Sequence, residues 1–252
     1  MPRAFTRAVG PRIAECQLTH LERVPIDVAR ATAQHATYEQ ALADAGFDIV
    51  RLPELADDPD AVFVEDTALI LGDHAVITRP GAPSRIGEVD STAEGLAGRF
   101  EVHCITDGHV DGGDVLRIGR RLYVGLSTRT DRAGLAALAA LVTPIGYEVI
   151  EAKAGACLHL KTGATLGADG LLLYDPAAID ASQFADVEAF PVEESAAANC
   201  VRAGNRIILP AGNPRTANKL RERGLNVVEV DVSELQKAEA GVTCMSLIDD
   251  HL

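Results

Sequence analysis

One order of predicted elements recurs along the chain, and this repeat restricts the fold more than any other feature of the sequence. In the clearest copy, residues 62–71 and 74–80 predict two strands joined by a turn at Gly72-Asp73. A loop, a helical segment ending at Gly98 and a short strand over residues 101–106 complete it. A period of this kind is typical of folds assembled from small repeated units.

Three further copies follow the same order of strand, turn, strand, helix and strand. Their first strands are predicted to begin near residues 110, 158 and 198. The helix of the second copy begins at the N-cap Asp131 and ends before Pro144. The third copy has a weak or very short helix, and the fourth carries a helix over residues 214–223.

The N-terminal segment supplies the back half of a fifth copy. It predicts a helix over residues 27–45, with Asp27 as N-cap and Gly46 after its end, followed by a closing strand. The missing first strand can come from the last apolar segment, residues 241–247. Five ββαβ modules closed by the two chain ends predict a pseudo-symmetric, five-bladed α/β propeller, in which closure removes exposed sheet edges. We expect one domain, residues 1–252.

Composition narrows the classes of function. The formal net charge is −14, so nucleic acid is not an expected partner, since duplex binding needs a basic surface. The acidic surface either attracts a cationic substrate or serves solubility alone. No run of 18 apolar residues and no secretory signal is present, so no membrane contact is expected. Five cysteines without a CxxC pair indicate free thiols in a reducing cytoplasm and argue against a structural zinc site.

Polar residues recur near the first strand of each copy. They are Glu65-Asp66, Asp111, His159, Asn199 and Cys244, separated by 46, 48, 40 and 45 residues. Equivalent positions of a ring surround one axis, so these side chains are expected to converge. Taken alone, each is ordinary: a free cysteine is usually a buried apolar residue, and a histidine in an apolar strand is usually a core residue. Adjacent acids inside an apolar run are less ordinary, because burying both requires partners.

Six motifs extend these observations over most of the chain. They are FVED (63–66), DGGDVL (111–116), VGLSTRT (124–130), LHLKTG (158–163), AANC (197–200) and GVTCMSL (241–247). In these motifs the sequence resembles the dimethylarginine dimethylaminohydrolases, a family of the guanidino-group-modifying (pentein) superfamily. The chain length also fits that family. Arginine deiminases are similar but are longer, with an extra helical region.

The resemblance implies residue roles. Cys244 would be the nucleophile, His159 the general acid and base, and Asp111 the carboxylate that orients His159 and the guanidinium; some relatives carry Glu there. Further substrate contacts are implied for both ends of a bound amino acid. They are Glu65 and Asp66 at the guanidinium, Asp60 and the carbonyl of Ala238 at the α-amino group, Arg85 and Arg129 at the α-carboxylate, Phe63 in FVED, and Leu18 on a mobile lid loop.

The implied reaction is hydrolysis of Nω-methylated L-arginine to L-citrulline and dimethylamine or methylamine through a covalent cysteine intermediate. It needs no metal and no organic cofactor, and a homodimer is possible. Two alternatives stay open at this point. One is a related hydrolase acting on arginine or another guanidino compound, of which agmatine is disfavoured because it offers no carboxylate to the two arginines. The other is a non-catalytic propeller, which would not be expected to retain a Cys, a His and acids together.

Overall fold

Five small sheets, each of three strands, form the framework of the protein. The structure is a computed structural model and describes residues 1–155 and 157–250. In every sheet the middle strand is antiparallel to one neighbour and parallel to the other. The hairpins turn at glycines with positive φ, such as Gly72 at 65° and Gly119 at 59°, a conformation that glycine adopts without steric cost.

The strands, in chain order within the described residues, are β1 (Arg3–Thr6), β2 (Asp48–Arg51), β3 (Ala68–Leu71), β4 (His74–Ile77), β5 (Glu101–Cys104), β6 (Val115–Ile118), β7 (Arg121–Gly125), β8 (Glu148–Ala152), β9 (Ala164–Ala168), β10 (Leu171–Tyr174), β11 (Glu188–Pro191), β12 (Val201–Ala203), β13 (Arg206–Pro210), β14 (Asn226–Val230) and β15 (Leu247–Asp249). The sheets are β15-β1-β2, β3-β4-β5, β6-β7-β8, β9-β10-β11 and β12-β13-β14.

Helices connect the second and third strands of the modules. They are α1 (Val28–Asp44), α2 (Glu88–Leu96), α3 (Arg132–Val142) and α5 (Pro214–Glu222); the short α4 (Leu160–Gly163) and α6 (Ser233–Gln236) lie elsewhere. The predicted N-caps are confirmed, since Asp27 accepts from the N–H of Arg30 and Asp131 from that of Gly134. The third module has only a 3₁₀ turn, Ala181–Gln183, as its weak sequence pattern predicted.

The two ends of the chain close the ring. Strand β15 pairs with β1 in antiparallel register, with Leu247 opposite Phe5 and Ile248 opposite Ala4. The predicted five-module closure is therefore confirmed. The strand itself begins only at Leu247, the last residue of the GVTCMSL segment, because Thr243–Met245 forms a 3₁₀ turn before it.

The predicted first strands begin too early in four modules. Residues 62–67 and 110–114 do not extend β3 and β6 but turn in 3₁₀ helices, Val64–Thr67 and Gly112–Asp114. The strand predicted near residue 158 begins only at Ala164, after α4, so His159 is not in a strand, and the one predicted near residue 198 begins only at Val201. An apolar run predicts an extended strand, yet the first of these turns closes locally, where the Thr67 hydroxyl donates to the carbonyl of Val64. Within the described residues, none of the helices has the length and apolar character needed to cross a membrane.

Candidate active site

The functional candidates lie at one structural position, immediately before the first strand of successive modules. Each is in or beside a short turn: Glu65 and Asp66 in Val64–Thr67, Asp111 before Gly112–Asp114, His159 before α4, Asn199 after Ser195–Ala198, and Cys244 in Thr243–Met245. Circular closure brings these turns together around the axis, so residues about 180 positions apart in sequence come into contact.

His159 is buried and paired with a buried carboxylate. Its Nε2 lies 3.0 Å from Oδ2 of Asp111 and 4.0 Å from Oδ1 of Asp66. The other Asp111 oxygen accepts from the N–H of Gly81 at 2.8 Å, which fixes the carboxylate. Burial acts to lower the pKa of His159, but the charge of Asp66 and the hydrogen bond with Asp111 outweigh it and raise the pKa to about 9. The imidazole is therefore protonated at neutral pH.

Asp66 also joins a buried arginine cluster. Its Oδ2 lies 2.5 Å from Nη1 of Arg85, and its Oδ1 accepts from the N–H of Gly113 at 3.0 Å. Arg85 donates from Nη2 to Oε2 of Glu88 at 2.8 Å and to the carbonyl of Phe63 at 2.7 Å. Burial acts to raise the pKa of Asp66, but His159 and Arg85 outweigh it and keep that pKa below its usual value.

Cys244 is half-buried, and its Sγ accepts from the N–H of Gly241 at 3.3 Å. Burial raises the pKa of the Cys244 thiol, and the charges of Glu65 and Asp66 raise it further. The Gly241 N–H and the Lys161 ammonium act in the opposite direction without outweighing them. Cys244 is thus a thiol at neutral pH, and it needs an added positive charge to become a thiolate.

Four polar residues from four modules form a hydrogen-bonded ring beneath Cys244. Glu65 binds Nζ of Lys161 at 2.6 Å and accepts from the Thr243 hydroxyl at 2.7 Å. The Asn199 amide donates to the Thr243 oxygen and to the Lys161 carbonyl, each at 2.9 Å, and its own oxygen accepts from the Thr243 N–H at 3.1 Å. The ring therefore holds both the acid Glu65 and the residue that precedes the cysteine.

A small cavity lies where most of these side chains meet. It is about 30 Å³, roughly the space of one water molecule. Among the predicted site residues, its lining includes Asp60, Phe63, Asp66, Arg85, Arg129, His159, Ala238 and Cys244. Asp111 stands behind His159, Glu65 lines a larger cavity on the other side of the ring, and Leu18 packs against a hydrophobic core cluster.

The segment of residues 17–25, here called the lid segment, reaches this cavity at Gln17. The Glu239 carboxylate accepts from the N–H groups of Thr19, His20 and Leu21. Arg129 donates to the Thr19 hydroxyl at 3.0 Å, and the Gln17 N–H reaches both oxygens of Asp60 at 3.1 Å.

Comparison with known proteins decides the family. A dimethylarginine dimethylaminohydrolase of Streptomyces coelicolor is 37% identical over 251 residues, covering 97% of this chain and 96% of that protein. The chain belongs to the dimethylarginine dimethylaminohydrolase family. A second dimethylarginine dimethylaminohydrolase, from Pseudomonas aeruginosa, is 39% identical over 230 residues and covers 88% of this chain and 89% of its own. A scan against protein-family models found no match.

Solved structures of dimethylarginine dimethylaminohydrolases have the same fold. The P. aeruginosa enzyme, as a cysteine-to-serine variant with citrulline, superposes with a TM-score of 0.88 at 36% identity, covering 98% of each chain. A histidine-to-glycine variant bearing an S-methyl-L-thiocitrulline adduct superposes with a TM-score of 0.90, also at 36% identity, covering 98% of this chain and 100% of that one.

Several residues of this dimethylarginine dimethylaminohydrolase site were not assigned a role from sequence. Buried Asp114 accepts from the hydroxyls of Ser127 and Thr130 and from the N–H of Leu160 at 3.0 Å, which anchors the start of α4 beside His159. The other missed residues are Lys161, Thr243, Glu88 and Glu239. Asp114, Lys161 and Thr243 lie in the sequence motifs, which were a signal for them; Glu88 and Glu239 had no such signal.

Three of the site residues could in principle approach one cation. Ligand atoms of Asp66, Asp111 and His159 lie within 4.8 Å of one another. Both carboxylates, however, already accept from backbone N–H groups, and Asp66 pairs with Arg85. This arrangement suits hydrogen bonding to a planar cation and to imidazolium better than it suits a metal ion.

Proposed function

We propose that the protein hydrolyses Nω-methylated L-arginine to L-citrulline and dimethylamine or methylamine, with Cys244 as the nucleophile. The observation that carries the proposal is the meeting of the Cys244 thiol, the Asp111–His159 pair and the Asp66 carboxylate at one cavity in a chain of this family. Names of the related hydrolases and the citrulline complex of the P. aeruginosa enzyme support the same substrate class.

Binding of the cation would activate the nucleophile. A guanidinium beside Asp66 brings a positive charge next to Cys244, where the Glu65 and Asp66 carboxylates hold the thiol's pKa high. That charge offsets the effect of the acids and favours the thiolate. The carboxylates also keep the guanidinium in one plane and leave its carbon open to the sulfur. Arg129, at the cavity mouth, is proposed to bind the α-carboxylate together with Arg85.

Covalent chemistry then follows in two stages. The thiolate adds to the guanidinium carbon, and protonated His159 gives its proton to the departing dimethylamine as the C–N bond breaks. A thiouronium on Cys244 and a neutral His159 remain. His159 next takes a proton from water, which adds to the thiouronium carbon, and loss of the thiolate gives citrulline. The raised pKa of His159, about 9, keeps the proton in place for the first stage at neutral pH.

The test is colorimetric detection of citrulline with asymmetric dimethylarginine, monomethylarginine, arginine and agmatine in parallel. We expect turnover of the methylated substrates, with the Cys244→Ser variant as the inactive control. Preferred turnover of arginine would support the alternative of a related guanidino hydrolase. No turnover of any of the four substrates would contradict the proposal.

Several finer points accompany this proposal. We propose that residues 1–252 act as one catalytic domain, that the enzyme works in the cytoplasm, and that it forms a homodimer without nucleic-acid or membrane partners. The five free cysteines support a reducing compartment. Light scattering tests the homodimer, for which the expected mass is twice that of one chain.

A further inference from the structure

Two histidines and a glutamate converge on the outer part of the β3-β4-β5 sheet, away from the cavity at Cys244. His74 is the first residue of β4, Glu101 is the first residue of β5, and His103 follows two residues later. The parallel register places His74 opposite Glu101 and Val76 opposite His103. Since residues two apart in a strand lie on the same face, backbone pairing puts all three side chains on one side of the sheet.

The donor atoms of these residues are close enough to share one ion. His74 Nδ1 lies 3.1 Å from His103 Nε2 and 3.5 Å from Glu101 Oε2, and His103 Nε2 lies 3.8 Å from Glu101 Oε1. Zinc bonds to nitrogen and oxygen are about 2.0–2.2 Å, so two ligands at a tetrahedral angle lie about 3.3–3.6 Å apart. The three separations bracket that range, and side-chain rotations alone can adjust them.

We propose that His74, Glu101 and His103 form a binding site for a divalent transition-metal ion, with zinc as the best match. Two imidazoles and one carboxylate are a donor set that zinc accepts, and three protein ligands leave a fourth position for water. Both histidine side chains are about a quarter exposed, and that of Glu101 is 69% exposed, so an ion can reach the site from solvent. This site uses none of the cysteines, whose pattern argued against a cysteine-based zinc site.

The site is separate from the proposed chemistry. Asp66 precedes β3, whereas His74 follows the hairpin turn at its other end, and four residues of strand span about 13 Å. A bound ion would add a cross-link between β4 and β5, which already pair in parallel from His74 to Ile77. A metal ion at this site would therefore affect the stability of the fold, whether or not the protein carries out the proposed hydrolysis.

The competing account needs no metal. One neutral imidazole can donate an N–H to the other at 3.1 Å, with the glutamate as a nearby acceptor. The net charge of −14 would also attract cations to many surface acids without specific ligation. A decisive experiment must therefore separate a site of defined stoichiometry from both possibilities, and from binding at Cys244.

The experiment is titration of the purified protein with Zn²⁺ in competition with a chromophoric chelator. Wild-type protein and the Cys244→Ser variant should each bind one equivalent with equal affinity at this site. His74→Ala and His103→Ala should each weaken it by more than the roughly 10- to 100-fold that loss of a hydrogen-bond partner of a metal ligand costs. His20→Ala, an exposed histidine on the lid segment, is the control and should bind as wild type does.

A second readout uses thermal unfolding. Zn²⁺ should raise the melting temperature of the wild type and of Cys244→Ser, but not of His74→Ala or His103→Ala. Unfolding without metal at a temperature close to that of the wild type shows that the variants are folded. Unchanged zinc affinity in both histidine variants would overturn the site. So would the absence of any saturable binding in the wild type, or binding lost in Cys244→Ser but kept in His74→Ala.

Discussion

The pairing of His159 with Asp111 makes a quantitative prediction about pH. The substitution Asp111→Asn keeps the size of the side chain but removes the buried charge that lies 3.0 Å from the imidazole. A hydrogen bond to a charged group contributes about 1.5–3 kcal/mol. Since one pKa unit corresponds to about 1.4 kcal/mol, we expect the pKa of His159 to fall by about 1–2 units from its wild-type value. Asp66 would still favour the protonated form, though less strongly.

The assay is the pH dependence of kcat/KM for citrulline formation. In the wild type, activity should fall as the pH rises through about 9, because His159 then loses the proton that the leaving amine requires. In Asp111→Asn this fall should begin about 1–2 units lower. Asp107→Asn, which removes an exposed acid of the same segment, is the matched control and should leave the profile unchanged.

Stability provides an independent check on the same group. The pKa of folded His159, about 9, lies above its ordinary value of 6.5, so its stabilising contribution is complete below that ordinary value and is lost as the pH rises through about 9. In Asp111→Asn this loss should occur at lower pH in urea unfolding. If kcat/KM fell at the same high pH in Asp111→Asn and in the wild type, the reasoning would be refuted, because Asp111 would then not control the proton on His159.

Four other residues give predictions of different kinds. Arg129→Ala should lower kcat/KM for dimethylarginine by about 10- to 150-fold, the equivalent of a charge-assisted hydrogen bond, and much less for an analogue without the α-carboxylate. Arg85→Ala should show a similar loss and should also lower the free energy of unfolding by about 3–5 kcal/mol, because buried carboxylates lose their partner; urea unfolding compares the two. Lys161→Met should slow alkylation of Cys244 by iodoacetamide, since the ammonium lowers the thiol's pKa, whereas Lys161→Arg should preserve the rate; equal rates in all three proteins would contradict this role. Glu239→Ala should release the lid segment, seen as faster tryptic cleavage within it, and unchanged cleavage would show that the three N–H contacts do not hold it.

The fold could be predicted from sequence mainly because its information is local and repeated. Turn glycines, N-caps such as Asp131 and the alternation of strand and helix each depend on neighbouring residues. Closure of the ring followed from a missing strand in one copy and a surplus apolar segment at the other end. The starts of β3 and β6 could not be predicted in the same way, because the apolar run before β3 favours a strand, whereas the chain forms 3₁₀ turns at Val64–Thr67 and Gly112–Asp114.

The site was predictable in position more than in detail. Repeat spacing singled out the positions of Asp111, His159 and Cys244 near the first strands, and the structure places these residues in or beside short turns. The ion pair of Glu65 with Lys161 was not predictable, because the two residues lie in different modules and the contact depends on how their side chains are oriented. The same is true of the Glu239 carboxylate, because the lid N–H groups that donate to it lie more than 200 positions earlier in the chain.

The most direct test of the account is to trap the covalent intermediate. With S-methyl-L-thiocitrulline, whose thiolate leaves without a general acid, His159→Gly should still form the covalent adduct but hydrolyse it slowly, because the base that activates water is missing. Acid quenching followed by peptide mass spectrometry should then find the added mass on the peptide containing Cys244, and the double variant His159→Gly/Cys244→Ser should show none. An adduct on any other cysteine, or the same adduct in the double variant, would contradict the assignment of Cys244 as nucleophile.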